Sequence, residues 1–290
     1  MTKKQHYVPR FYLERFVDEQ GGVHVYDFKQ NKFYKTKPEG ICCQNCLYEV
    51  EWNGSERVYG KYMLPNHLED IFSRYENEFS RFLRKMDRIC RSDQNPDALI
   101  CSTEDKNILY RLVVNFFIRT PQVMDALSVN EIPKELEEVE WIGALHEALD
   151  LMGMGGWDSI VKMAVKKAYM TEEYGGGPVY DLINEIGNLN FTFYRAQEGC
   201  FITSDQPVFI GVDKHILTGD KQCLYFALSP KVIVLFGDYE ESKHKKNRMV
   251  IIRDSFVDDF NMITVNKIKE LKGKIIANSR GGIMKYKELI

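Results

Sequence analysis

The segment Gln5-His6-Tyr7-Val8-Pro9-Arg10 puts an imidazole and a guanidinium within six residues of each other. An imidazole with a pKa near 6.5 exchanges a proton close to neutral pH, which makes His6 a candidate base or acid. Pro9 fixes one backbone angle and pushes Val8 towards extended geometry. In an extended chain His6 and Arg10 share a face, and Arg10 is then placed to bind an anion bidentately. The competing reading is an arm tucked into the core, with His6 as a hydrogen-bonded packing residue.

Asp205 is the second candidate. Thr203-Ser204-Asp205-Gln206-Pro207 follows a short apolar strand, so the carboxylate sits at a strand-to-turn corner, where functional groups are commonly displayed. Asp, Ser and Pro also build such turns by local hydrogen bonding alone. Glu69 and Glu76 lie seven residues apart on an expected helix and project within about 20° of each other. They border its apolar stripe, from where they reach inward to a metal or a histidine, or outward to Arg74, Arg81 or Arg84. Arg119 closes a helix that is apolar over most of its circumference and must find a partner. Asp205 or Glu76 serves structurally; a substrate phosphate or carboxylate serves functionally.

Glu69, Glu76 and Asp205 are therefore the candidate metal ligands, and three carboxylates without thiol partners suit Mg²⁺ or Mn²⁺ better than Zn²⁺. In Cys42-Cys43-x-x-Cys46 the Cys-x-x-Cys pair supplies half of a tetrahedral zinc site, but the two remaining ligands would have to come from Cys90, Cys101 or His67. Small buried hydrophobes are the favoured reading of that cluster.

These residues need elements to hold them. Extended segments are expected at 22–28 and 32–36 around a Lys29-Gln30-Asn31 turn, and at 47–52 and 55–59 around Asn53-Gly54, a pair suited to a type I′ hairpin. Leu68, Phe72, Tyr75, Phe79, Phe82 and Met86 then recur at spacings of four and three, one stripe of a five-turn helix. After a linker at Asp93-Gln94-Asn95-Pro96, Ser102-Thr103 offers caps for a second helix over 104–119, with Arg111, Asn115 and Arg119 on one face. Further helices are expected over 133–151, 157–171 and 179–186, the last set off by Gly175-Gly176-Gly177-Pro178. Strands follow at 191–195, 201–203, 208–212, 223–227, 232–236 and 249–253, then a helix over 255–271. Strand-rich ends around a helical middle (about 62–188) predict one α+β domain over 1–290, its mainly antiparallel sheet built from both ends of the chain.

The net charge of −3 argues against a whole-surface affinity for nucleic acid or anionic membrane, leaving a local basic groove as the open route. The basic run 244–248 reads as a solvated hairpin loop. No apolar run approaches the roughly 20 residues of a membrane span, and the start lacks the apolar region of a secretory signal. Seven cysteines, an odd number, suit reduced thiols, so a cytoplasmic location is expected. No phosphate loop, dinucleotide fingerprint or nucleophile elbow is present.

Four motifs resemble, in order, a bacterial family of unknown function marked by an HYVP motif, domain of unknown function 4238. They are Gln5-His6-Tyr7-Val8-Pro9 with Phe11-Tyr12-Leu13, the helix carrying Leu68-Glu69 and Glu76, Phe117-Ile118-Arg119-Thr120-Pro121, and Phe201 to Val208 with its Ser204-Asp205-Gln206-Pro207 core. The Leu228-Ser229-Pro230 step is similar too. His6-Tyr7-Val8-Pro9 also resembles the opening of HNH nucleases, but Gln5 stands where those carry a metal-binding aspartate. The residue inventory predicts a metal-dependent, nuclease-like hydrolase of phosphodiester bonds, with nucleic acid or a nucleotide as partner. His6 is then base or acid, Glu69, Glu76 and Asp205 hold the metal, and Arg10 and Arg119 stabilise phosphate. The rival expectation is a non-catalytic binding or regulatory protein whose polar motifs form a buried network.

Overall fold

A single hydroxyl ties the N-terminal arm to both main sheets. Tyr12 Oη lies 2.6 Å from Thr203 Oγ1 and donates to the Ala227 carbonyl at 2.7 Å, while its ring stacks on Phe226 and meets the edge of Phe116. The computed structural model describes residues 4–51, 62–63, 65–91, 102–121, 156–172, 174–211, 223–237 and 249–290.

In chain order the elements are β1 (Lys4–His6), α1 (Arg10–Leu13) running into a 3₁₀ turn, β2 (Val23–Asp27), β3 (Lys32–Thr36), β4 (Cys43–Asn45), β5 (Val50–Glu51) and β6 (Tyr62–Met63). The helices α2 (His67–Arg91), α3 (Thr103–Ile118), α4 (Gly156–Glu172) and α5 (Pro178–Gly187) follow. The chain then returns to strands β7 (Phe191–Ala196), β8 (Thr203–Ser204), β9 (Val208–Gly211), β10 (Cys223–Ser229), β11 (Val232–Gly237) and β12 (Met249–Ile252). Helix α6 (Asp254–Glu270), strand β13 (Lys274–Ala277) and helix α7 (Arg280–Met284) complete it.

The architecture is α+β, with two main sheets where one was expected. The five-stranded sheet has the order β12-β7-β11-β10-β9 and is antiparallel except for the parallel β12–β7 pair. All six residues of its central strand β11 are buried, as a strand covered on both faces requires. The four-stranded sheet, β3-β2-β13-β8, joins the two ends of the chain. Here β13 pairs antiparallel with β2 and β8, with Ile276 opposite Val25 on one side and Thr203 on the other.

The helices follow their sequence signals. α2 buries Leu68, Ile71, Phe72, Phe79, Phe82, Leu83 and Met86 on one side; each such side chain contributes about 1.5–3 kcal/mol on leaving water. α3 starts in a reciprocal cap: Asp105 N–H donates to Ser102 Oγ at 3.1 Å, and Ser102 N–H donates to Asp105 Oδ2 at 2.9 Å. Gly177, at φ 86°, ends the α4–α5 connection; a Cβ there would sit 2.2 Å from Thr171 Oγ1, and Pro178 opens α5.

Three expectations are corrected. The arm is not extended throughout: after β1 it turns helical at Arg10, because the Pro9 carbonyl accepts from Tyr12 N–H and Leu13 N–H and starts a turn that buries Tyr12, Leu13 and Phe16. The strand expected at 201–203 forms only at Thr203–Ser204. Within the described part of the 47–52 strand, residues 47–51, only Val50–Glu51 is a strand, and it pairs with Tyr62–Met63. The Asn53-Gly54 turn, the 55–59 strand, the 93–96 linker, the 133–151 helix and the 244–248 run lie outside the described residues. Among those described, no helix is long and apolar enough to cross a membrane.

Candidate functional site

The polar face of α3 meets α2, α4 and the arm. Arg111 Nε donates to Glu172 Oε1 at 3.1 Å, and Asn115 Nδ2 lies 3.5 Å from Tyr169 Oη, both partners being on α4. One turn further on, the buried Arg119 side chain donates through Nη1 to Glu76 Oε1 at 2.9 Å and Asn115 Oδ1 at 3.3 Å, and through Nη2 to the His6 carbonyl at 2.7 Å. Its guanidinium carbon stands 4.1 Å from the centre of the Phe72 ring, a cation–π contact. Tyr48 Oη donates to the Arg119 carbonyl at 3.0 Å. Of the two protein partners proposed for Arg119, Glu76 is the one it uses.

Several groups around this arginine keep hydrogen-bonding capacity in reserve. Arg119 Nε, His6 Nε2, Glu49 Oε2, His67 Nε2 and Glu69 Oε1 are buried atoms without a hydrogen-bond partner among the described residues. Glu49, itself 4% exposed, accepts through Oε1 from Gln5 Nε2 at 2.7 Å and from Asn66 N–H at 3.1 Å, at the entry to α2. Gln5 Oε1 in turn accepts from Tyr48 N–H. Burial pushes the Glu69 carboxyl up to about 7; Arg119 opposes the shift, and Glu76 and Glu49 add to it. Burial lowers the His6 imidazole, against a hydrogen bond to the Glu39 backbone, and the charges of Lys4, Arg10 and Arg119 lower it further. Near neutral pH the site thus holds a neutral imidazole and a carboxyl that is partly protonated.

Asp205 belongs to a different cluster. Its N–H donates to the Lys274 carbonyl at 3.0 Å, its Oδ1 accepts from Lys274 N–H at 2.9 Å, and the Lys274 ammonium stands 3.8 Å from Oδ2 and 3.6 Å from Asp27. Burial raises the Asp205 carboxyl to about 6, opposed by the Lys274 N–H and ammonium and reinforced by Asp27. Tyr7 and Cys42 adjoin this cluster, and burial, then the Cys42 thiol and the Asp205 carboxyl, hold the Tyr7 phenol far above its ordinary value. Successive residues of the arm therefore serve different centres: His6 the Arg119 centre, Tyr7 the Asp205 centre. Among the described residues no hydrogen bond or ion pair joins Asp205 to His6, Glu69, Glu76 or Arg119.

Arg10 stands apart as well. As the first residue of α1 it is half exposed and donates to Glu39 Oε1 at 2.7 Å, with Glu14 at 3.9 Å. The shared face expected for His6 and Arg10 is lost because the strand ends between them.

The carboxylates do not fit a shared divalent ion. Glu76 is spent on Arg119, and Asp205 is held by Lys274 in another sheet. Among the described residues no group of three or more His, Cys, Asp or Glu side chains is arranged to hold a metal. Cys42 is buried, and Cys43 and Cys46 are half-buried.

Gln5, Tyr48, Glu49, Lys166 and Tyr169 complete the Arg119 surroundings and had not been singled out. Gln5 sits on the three-residue strand β1 and Glu49 just before the two-residue β5, both too short for periodicity to flag them. Lys166, buried on α4 with its ammonium pKa lowered by burial and partly restored by Glu49, had only the signal of a lysine interrupting an apolar face.

No curated protein and no solved structure matches the chain. Residues 4–280, spanning the arm, both main sheets and every residue of the two polar centres, match one family over its length, and the chain belongs to it: DUF4238, described as a protein of unknown function.

Proposed function

We infer that the protein is a non-catalytic binding or regulatory protein in which the polar motif residues fasten the N-terminal arm to the helical and sheet layers. One observation carries this reading. Arg119, the most buried of the candidate charged groups, spends its guanidinium on Glu76, Asn115 and the His6 carbonyl rather than presenting it to solvent. Asp205 and Arg10 are committed in the same way, to Lys274 and Glu39. A transition state needs donors free to meet developing charge, and these three have been used for architecture.

A second reading, a nuclease-like hydrolase, is favoured by Glu69 and His6. A carboxyl with a pKa near 7 and an imidazole lowered by burial, each feeling the charge of Arg119 and each with a buried polar atom unpartnered among the described residues, are suited to acid–base work. In that reading Arg119 orients the arm, Glu69 and His6 move the proton, and no step passes through a metal.

One set of variants separates the two. Turnover of bis(4-nitrophenyl) phosphate and melting are measured for the parent, His6→Ala, Glu69→Gln and Glu76→Gln. The binding reading expects no turnover above background and a lower melting temperature for Glu76→Gln. Turnover that falls 10²–10⁴-fold in His6→Ala and Glu69→Gln, with unchanged melting, overturns it in favour of the hydrolase.

A further inference from the structure

The second half of α2 is basic on a chain whose net charge is −3: from 79 to 91 it carries Arg81, Arg84, Lys85, Arg88 and Arg91 against Asp87 alone. Its inner side is the apolar stripe of Phe79, Phe82, Leu83 and Met86. Seven residues of helix return to nearly the same direction, so Arg81 and Arg88 are aligned on the outer side, with Arg84 about 60° away. Together with Asp87 these three arginines line an open groove of about 550 Å³.

Among the described residues the charges of this groove are not balanced. Among the described residues Arg81 and Arg88 have no hydrogen-bond or ion-pair partner, and Arg84 reaches only the neutral Ser80 hydroxyl, at 2.7 Å. The one carboxylate present, Asp87, is engaged from the other side: Arg15 Nη1 donates to its Oδ2 at 2.8 Å and Nη2 to its Oδ1. Lys85 points elsewhere and pairs with Asp105. A second groove of about 480 Å³ begins at Asp87 and runs past Arg15 to Ser229 and Lys231, so the trough extends beyond the helix.

An exposed row of unpaired guanidinium groups on an otherwise acidic protein selects a polyanion. Guanidinium forks match phosphate oxygens in particular. Arg81 and Arg88 are separated by about 10 Å along the helix axis, close to three phosphate steps on one strand of a duplex. We propose that the outer face of α2 is a nucleic-acid docking surface on which Arg81, Arg84 and Arg88 contact backbone phosphates without reading bases. It stands on these residues alone and holds under either reading of the Arg119 centre.

The test is fluorescence anisotropy of the full chain with a labelled 20-nucleotide single-stranded DNA and a 20-base-pair duplex, from 25 to 200 mM salt. Three phosphate contacts give a slope of log K against log salt of about −2 for the single strand and about −3 for the duplex. Arg81→Ala and Arg88→Ala should each reduce that slope by just under one and weaken binding alike for unrelated sequences. Lys287→Ala, an exposed basic residue beyond α7, should change neither. Absence of binding at 25 mM salt overturns the proposal, as does equal binding by the Arg81→Ala/Arg88→Ala double variant. Preference for phosphatidylserine vesicles or polyglutamate over both DNAs overturns it too, since the surface would then be selecting charge or lipid rather than a phosphate backbone.

Discussion

Arg119 Nη2 donates to the backbone carbonyl of His6 at 2.7 Å across a sequence separation of 113 residues, so the end of α3 clamps the arm through its main chain rather than its side chain. The imidazole remains uncommitted at Nε2, while the peptide that carries it is fixed.

That clamp joins the buried Arg119 side chain to a Glu76 carboxylate that is 31% exposed, so the cost of separating them falls on the arginine's other contacts. Arg119→Ala is expected to lose about 1–3 kcal/mol, from leaving Asn115 Oδ1 and the His6 carbonyl without their donor while Glu76 turns to water. Arg119→Lys should recover only part of this, because a single ammonium lacks the fork that reaches Glu76, Asn115 and His6 together. Urea unfolding of both variants checks the order; equal stability of lysine and arginine would show that the fork is not what matters.

The Tyr12 hydroxyl makes a similar case with no charge involved. Tyr12→Phe keeps the ring packing against Phe226 and Phe116 but leaves the Ala227 carbonyl, and one partner of Thr203 Oγ1, unserved in the core. A loss of about 1–3 kcal/mol is expected. Urea midpoints within error of the parent would show that water reaches the site and replaces the phenol.

Gly273 marks how tightly Asp205 is held. A Cβ at this position would lie 2.6 Å from Asp205 Oδ1 and 3.2 Å from Ile268 Cγ2, and Asp205 is too short and too buried to move aside. Gly273→Ala is expected to cost about 1–3 kcal/mol through overpacking. Adding Asp205→Ala should recover part of the loss, so a double-variant cycle in thermal melting measures the contact directly.

The pH dependence follows from Glu69 and His6 pulling in opposite directions. Glu69 rises from 4.5 to about 7 on folding, so between those values the folded chain binds more protons and stability falls as pH increases. His6 is lowered, so its contribution falls as pH drops below 6.5. Relative to the parent, Glu69→Gln should therefore lose stability on going from pH 7.5 to 5.5, and His6→Ala should gain it. Urea midpoints at the two pH values report both signs, and parallel shifts of parent and Glu69→Gln would place that carboxyl in solvent.

The sequence revealed elements best where one physical signal ran long enough. The stripe from Leu68 to Met86 marks α2 to within one residue at its start and five at its end, and the Ser102-Thr103 cap signal marks α3 to within one residue. β13 escaped notice because Lys274–Ala277 is four residues long, too short for alternation to register, although it joins the two ends of the chain. In the candidate site, the apolar environment of α3 marked Arg119 as a residue in need of a partner, and Glu76 was among those named. Nothing in the local sequence around Asp205 separates it from the Arg119 centre. Alternation along the arm instead sends Tyr7 and His6 to two centres, a distinction that only pairing partners from distant parts of the chain impose.

Strand β13 also sets a schedule for synthesis. β2 has its hydrogen-bonding edge closed by residues 274–277, roughly 250 positions later in the chain. At 5–20 residues per second the ribosome delivers them about 12–50 s after β2 has emerged. For that interval β2 presents an unpaired edge on the side away from β3, the kind of edge that pairs with other chains unless something covers it.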